Sequence, residues 1–247
     1  MVLEIDKRNG LFKTKQIWFA EYPYDVKGAS RVIFRDCKNK VDAQGFSREE
    51  IITFVIDLTQ DLDSIWKKMS RTSCRQEINQ AMKVGIKIKI NQNFEDFIEI
   101  DKLFSKAKGW MSSGMTADFL KKNGILFVAE LNGEILGGYF YLKDDNNMRP
   151  LFNPSKRLNV DDKKSSLVGM GNRLIIWEAI KYAKAKGIKE FDFAGYNAGG
   201  EGHKILNKPS LFKQSFGGDI VTHYIYRKDY SNIYKMLSSL KQKFIKR

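Results

Sequence analysis

Leu167, Met170, Leu174, Trp177 and Ile180 fall on one face of a helical segment that ends at Gly187, and residues 188–193 (Ile-Lys-Glu-Phe-Asp-Phe) follow at once as a strand. A helix with one apolar stripe must bury it, and a glycine able to take the left-handed conformation lets the chain turn straight back into a sheet. This helix–cap–strand unit commits the C-terminal half to a mixed α/β architecture. A second signal agrees. Residues 125–130 and 134–142 read as strands around Leu131-Asn132-Gly133, and Asn-Gly is the strongest short hairpin turn.

The remaining segments fit the same class. Short strands are predicted over 16–20, 31–35 and 51–58, joined by loops bearing proline and glycine. Asp61 or Asp63 caps a predicted helix over 62–82, stopped by Gly85. Residues 86–90 alternate apolar with lysine, as a half-buried strand does. Helices follow over 94–108 and 116–122, then the hairpin, then a polar loop over 143–164. After the helix–cap–strand unit come a strand over 219–226 and a terminal helix over 232–246, with Ile233, Met236, Leu237, Leu240 and Phe244 inward.

Composition enters through what it excludes. With 43% hydrophobic and 29% charged residues among 247, the chain is globular and able to bury a core. No apolar run reaches the roughly 18 residues needed to span a membrane, and the N-terminus has no apolar core of signal-peptide type, so a cytoplasmic location is expected. Cys37 and Cys74 make no disulfide framework, and His203 and His223 have no metal-ligand spacing, so no metal is expected. The net charge of +14 favours an anionic partner, although a lysine-rich composition would raise it as well. Charge concentrates over 66–90, where Lys67, Lys68, Arg71, Arg75, Lys83, Lys87 and Lys89 face Glu77 alone. The terminal helix adds Lys235, Lys241, Lys243, Lys246 and Arg247.

Chemistry gathers near two short stretches. Phe191-Asp192-Phe193-Ala194-Gly195-Tyr196 ends a strand on an acid and a glycine, and Phe212-Lys213-Gln214-Ser215-Phe216-Gly217-Gly218 re-enters at a lysine between phenylalanines. Lys213 so placed is partly desolvated, and its charge acts at low effective dielectric. Asp192 either orients or deprotonates an amine, or holds the backbone N–H groups of the following turn. Between the stretches, His203 sits in the glycine-rich run Gly199-Gly200-Glu201-Gly202 as a candidate base on a lid-like loop. Arg75 and its lysine neighbours suit an anionic acceptor, and Trp66 is either core or a stacking surface.

Three pieces together resemble the Fem family, the peptidoglycan interpeptide-bridge branch of the GNAT acyltransferase superfamily. They are Ile65-Trp66-Lys67-Lys68-Met69 with Arg75, Ile78, Ala81 and Gly85; Asn172-Arg173-Leu174 through Trp177, Gly187 and Phe191–Gly195; and the Phe212–Gly218 stretch. The resemblance covers about residues 60–225. It implies a GNAT-like α/β fold with a shortened N-terminal unit over 1–92 and an acyltransferase domain over 93–247. It implies Lys213 as the residue that stabilises developing negative charge, and Asp192 and His203 stand as further catalytic candidates on their own chemistry. The superfamily's donor loop, Arg/Gln-x-x-Gly-x-Gly/Ala, finds Ser166-Leu167-Val168-Gly169-Met170-Gly171 with serine at its first position. On that resemblance Ser166, Gly169, Gly171, Asn172 and Arg173 would hold the pyrophosphate of an acyl-CoA co-substrate at a helix start, unless the glycines only allow close packing. Interpeptide-bridge enzymes draw instead on aminoacyl-tRNA and need no such loop, so the two glycines favour acyl-CoA over aminoacyl-tRNA as the donor.

The implied activity is transfer of an acyl group to an amino group of a cell-envelope sugar or peptidoglycan precursor. The implied acceptor is a nucleotide-sugar or a lipid-linked precursor at the inner face of an anionic membrane, bound by Trp66, Arg75, Tyr196 and Phe212. The competing reading is a non-catalytic module that binds nucleic acid or anionic membrane through its basic surface. Against it, no helix-turn-helix, zinc or aromatic RNA-binding motif is present.

Overall fold

The computed structural model describes residues 2–158, 160–196 and 208–236. The chain runs through β1 (Leu3–Asn9), β2 (Phe12–Trp18), β3 (Arg31–Cys37) and β4 (Ser47–Asp57) into α1 (Leu62–Lys68). A π-helical turn (Arg71–Arg75) leads into α2 (Gln76–Lys83), β5 (Lys87–Ile90), α3 (Phe94–Ala107) and α4 (Ala117–Asn123). Then come β6 (Ile125–Leu131), β7 (Glu134–Lys143), β8 (Asn147–Phe152), α5 (Asp162–Ala185), β9 (Glu190–Gly195), α6 (Lys208–Gln214) and β10 (Asp219–Asp229).

Two compact units form. The first joins residues 1–53 to 221–247, and the second is residues 54–220. The boundary expected after residue 92 falls inside the second unit. The reason is pairing: β5 is antiparallel to β6, with Lys87 opposite Glu130, and Ile78, Ala81 and Ile86 sit in one core with Val168, Ile175 and Phe191. The helices before β5 therefore belong with the second unit.

In the first unit β1 and β2 form an antiparallel hairpin, β2 runs parallel to β3, and β3 is antiparallel to β10. Its small core contains Ile17, Val32, Phe34 and Tyr226. The terminal helix begins at residue 232, and the remainder of the segment expected to be helical lies outside the described residues.

In the second unit the strand order is β4-β9-β8-β7-β6-β5. α5 buries Val168, Leu174, Ile175, Ile176, Ala179, Ile180 and Ala183 in its core. Asp161 caps α5 by accepting from Lys164 N, and Gly187 ends the unit at φ +77°, as the sequence predicts. Asn132 and Gly133 both take positive φ, the type I′ signature that joins β6 to β7.

Three local expectations are corrected. The helix over 62–82 is interrupted: α1 ends at Lys68, its cap Met69 is extended, and the chain resumes after Ser70 through a wide turn in which Arg75 N donates to Ser70 O five residues back. Ser70 N is meanwhile taken by Ser215 O at 2.8 Å, so the break is held by a tertiary hydrogen bond. The polar loop over 143–164 contains β8 and the start of α5, because Met148 and its neighbours pair on both sides with β7 and β9. β1 and its hairpin partner begin at Leu3, ahead of the first strand expected at residue 16.

Candidate active site

β8 and β9 run parallel, and their pairing stops after Asn147 with Glu190 and Met148 with Phe191. Beyond that point the strands part. Pro150 has no N–H to offer a ladder, and a bulge shifts the β7–β8 register between Phe140 and Tyr141. Where the gap opens, Arg149 Nη1 donates to Asp192 Oδ2 at 3.1 Å, and Asp192 is 1% exposed. The other carboxylate oxygen of Asp192 accepts from Ala194 N, two residues on. Ala194 lies in the left-handed region at φ +62°, where an alanine stays only if its surroundings hold it. Asp192 thus fixes the strand end, which is the turn-holding alternative weighed from the sequence.

That turn presents the Ala194 and Gly195 carbonyls to Lys213 on α6, whose Nζ donates to both. Burial pushes the Lys213 pKa down to about 8, the Asp192 charge pulls it upward, and Arg149 adds to the lowering. An ammonium has three donors, so one remains after the two carbonyls. Phe212 and Phe216 flank the lysine with ring centroids 5.5 Å apart, and Phe216 packs against Phe193 at 5.2 Å. The sequence motif has therefore become a shielded cation clamped to the end of β9.

A cavity of about 190 Å³ lies in the gap between the strands, lined by Pro150, Leu151 and Asn153 from β8 and the turn after it. Phe191, Phe193 and Ala194 supply the β9 wall, and Phe212 and Lys213 the α6 wall. Tyr139 and Tyr141 stack on one face of β7 and close its floor. The Tyr141 hydroxyl is buried without a hydrogen-bond partner, and burial holds its pKa well above the usual tyrosine value. Burial also raises Tyr139, to about 12, against the opposing effect of a hydrogen bond with Asn153.

Arg149, Tyr139, Tyr141 and Asn153 were not singled out from the sequence. The pattern held a signal, since Tyr139 and Tyr141 alternate on a strand that was identified. An apolar alternation alone does not say that one face is a cavity wall rather than core.

The expected donor loop is corrected. Ser166 to Gly171 and Asn172 stand inside α5, which begins at Asp162. Their N–H groups belong to the helix ladder rather than to an open cradle. Gly171 has the packing role: a Cβ there would meet Ala129 Cβ at 3.2 Å. Gly169 is unconstrained, with only the guanidinium ends of Arg157 and Arg173 near 3.9 Å.

Arg173 is committed elsewhere in the structure. Its Nε donates to Ser73 O at 2.7 Å, its Nη1 pairs with Glu77 at 2.9 Å, and its guanidinium lies 4.8 Å from the Phe212 ring centroid. Burial lowers its pKa from the ordinary arginine value, while Glu77 opposes that shift.

The other candidate residues separate. Phe212 lines the cavity. Tyr196 is buried, stacked on Phe54 with centroids 5.6 Å apart. Trp66 packs on Trp177 at 4.9 Å and, with Arg75, lines a different pocket in the same unit. His203 and its glycine-rich loop lie outside the described residues.

No protein-family model matches the chain, and no curated protein matches its sequence. Solved structures do. FemX superposes with a TM-score of 0.64 at 12% identity, over 90% of this chain and 83% of that one. L-PGS from Bacillus licheniformis gives 0.58 at 14% identity, over 96% and 84%. The C-terminal domain of a lysylphosphatidylglycerol synthetase candidate from Agrobacterium fabrum gives 0.56 at 11% identity, over 92% and 80%. At these identities the likeness is one of fold: the chain shares the fold of FemX and of the lysylphosphatidylglycerol synthetase domain.

Proposed function

We propose that this protein is an acyltransferase that moves an acyl group from a carrier to the amino group of an anionic cell-envelope precursor. The observation that carries the reading is Lys213. A cation of lowered pKa is clamped by two carbonyls at the edge of an apolar cavity that opens between two parting strands. An acyl carbonyl in that cavity would meet the remaining ammonium donor of Lys213. Attack by the acceptor nitrogen forms the C–N bond, and the carbonyl oxygen becomes an oxyanion that the Lys213 charge stabilises. Collapse breaks the bond from carbon to the carrier oxygen, the nitrogen gives up its proton, and the carrier leaves as a free hydroxyl. Asp192 and Arg149 act as positioning residues, since they hold the turn whose carbonyls aim Lys213.

An aminoacyl ester of tRNA is the donor favoured here over acyl-CoA. The glycines that pointed to a pyrophosphate cradle are inside α5, so the argument for CoA that rested on them falls away. The acceptor would be a nucleotide-sugar or a lipid-linked precursor, at the inner face of the membrane in the lipid-linked case. Among the described residues no helix is long and apolar enough to cross a membrane.

The test is single-turnover transfer with purified protein. Aminoacyl-tRNA and acetyl-CoA serve as alternative labelled donors, and an amine-bearing UDP-sugar peptide precursor as acceptor. Transfer from aminoacyl-tRNA that Lys213→Ala lowers at least ~100-fold, with donor binding retained, is the expected result. Transfer from acetyl-CoA alone would overturn the donor assignment. Full turnover by Lys213→Ala would remove the proposed chemistry.

A further inference from the structure

The interruption between α1 and α2 creates a second site. Trp66, Arg71, Arg75, Gln76, Asn79, Gln80 and Lys83 line a pocket of about 440 Å³, separate from the cavity beside Lys213. Three of these side chains are cationic and none is anionic. Glu77, the one acid on this stretch of helix, is engaged with Arg173. Among the described residues Arg71, Arg75 and Lys83 form no ion pair. The Nε of Arg75 is buried without a hydrogen-bond partner.

A buried guanidinium N–H without an acceptor is rare in a folded protein and asks for an explanation. Here it accompanies a π-helical turn, a backbone form that recurs at functional sites. The wide turn puts Arg71 and Arg75 on the same pocket as Lys83, one α2 length away. The pocket is also lined by a large aromatic ring and three carboxamides, groups that suit a flat heterocycle with carbonyl and amino substituents.

We propose that this pocket binds a nucleotide: its phosphate groups lie on Arg71, Arg75 and Lys83, and its base lies against Trp66 among Gln76, Asn79 and Gln80. A guanidinium can take two phosphate oxygens at once, and a lysine adds a point charge, so the three cations match a diphosphate better than a single carboxylate. The site is connected to the transfer centre. Arg173 takes Ser73 O of the turn with one edge and lies over Phe212, the neighbour of Lys213. Ser70, at the start of the turn, is bonded to Ser215 beyond it. A ligand that orders the turn therefore bears on the segment that carries Lys213.

The proposal goes beyond the transfer reading and does not require it. Its test is isothermal titration of the whole protein with UDP, ADP and inorganic pyrophosphate at about 150 mM salt, where loose polyanion binding is largely screened. UDP or ADP should bind, and pyrophosphate should bind at least ~10-fold more weakly. Arg75→Gln and Arg71→Gln should each weaken the nucleotide at least ~10-fold, and Lys213→Ala should leave it unchanged. Arg71 is exposed on the turn, so its variant keeps the test informative where Arg75→Gln unfolds. A preference for UDP points to a uridine-linked substrate, and one for ADP to an adenosine-bearing carrier; either supports the site. Absence of binding by both nucleotides, equal binding of pyrophosphate, or undiminished binding by the Arg71 and Arg75 variants would overturn it. Loss of transfer in Lys213→Ala with this binding intact separates the two proposals.

Discussion

At the residue scale the proposed chemistry turns on the charge of Lys213 and the hydroxyl of Tyr141. The folded-state pKa of Lys213, about 8, lies below the ordinary lysine value of 10.5 because burial disfavours its charge. Its charge is therefore present below that pH and lost as pH rises through it. Transfer should fall on the alkaline side with a midpoint near about 8, and Lys213→Arg, which stays protonated, should move that limb upward. An alkaline limb unmoved by the arginine would assign it to another group. Stability runs the other way. Between about 8 and 10.5 the unfolded chain holds a proton that the folded chain has released, so this group makes stability rise with pH across that window. Tyr141 gives an independent check. Its buried, unpartnered hydroxyl costs stability until an acyl carbonyl or oxyanion accepts from it. Tyr141→Phe should raise stability by up to ~1 kcal/mol in urea unfolding and lower kcat at least ~10-fold. A variant that is more stable and fully active would show the hydroxyl to be a packing remnant.

At the scale of elements, the Phe-Gly-Gly end of the lysine motif turns out to be a matter of space. Gly217 sits at φ +75° with the Lys68 carbonyl 2.4 Å from where a Cβ would be, and the Cβ of Gly218 would lie 2.2 Å from Val55 O. α6 therefore hands the chain to β10 through a channel between α1 and β4 that admits backbone alone. Gly187 has the same sign of φ and open space around it. Gly187→Ala should cost about 1 kcal/mol from conformation, and Gly217→Ala at least ~2 kcal/mol more, from the clash. Equal costs in urea unfolding would dismiss the close approach. The contrast also marks how far the sequence could be read. Gly187, Asn132-Gly133 and the apolar face from Leu167 to Ile180 encode their structure locally, so element type and order were legible there. Gly169 and Gly171 show the reverse: a glycine pair looks alike whether it opens a loop or lets a helix pack on Ala129, and only the tertiary neighbour tells. β8 was hidden because Asn147, Arg149 and Pro150 read as loop, and its pairing is supplied by β7 and β9. The burial of Lys213 was legible, since its flanking phenylalanines announce the desolvation. Its carbonyl clamp was not, because that depends on the left-handed turn at Ala194.

At the scale of the whole molecule, the charge of +14 bears on any reading with a polyanionic partner. Some of it is already answered: Lys156 and Lys164 share Glu134, Arg31 pairs with Asp229, and Arg149 with Asp192. Lysines in such pairs offer little net charge to a partner, whereas Arg71, Arg75 and Lys83 stand together without a carboxylate among the pocket walls. Excess charge of this kind attracts a polyanion at long range and loses strength as counterions compete. A nucleotide seated in a pocket keeps most of its affinity, because the contact is close and partly dehydrated. The expectation is a division by salt. Between about 50 and 200 mM, affinity for tRNA should fall at least ~10-fold, and affinity for UDP or ADP by no more than ~3-fold. Reversing lysines that do not line the pocket, as in Lys87→Glu with Lys122→Glu, should lower the tRNA slope and leave nucleotide affinity alone. Parallel salt slopes for tRNA and nucleotide would mean that both bind the diffuse surface charge. The basic composition would then be the whole of the recognition, and the pocket between α1 and α2 would have no part in it.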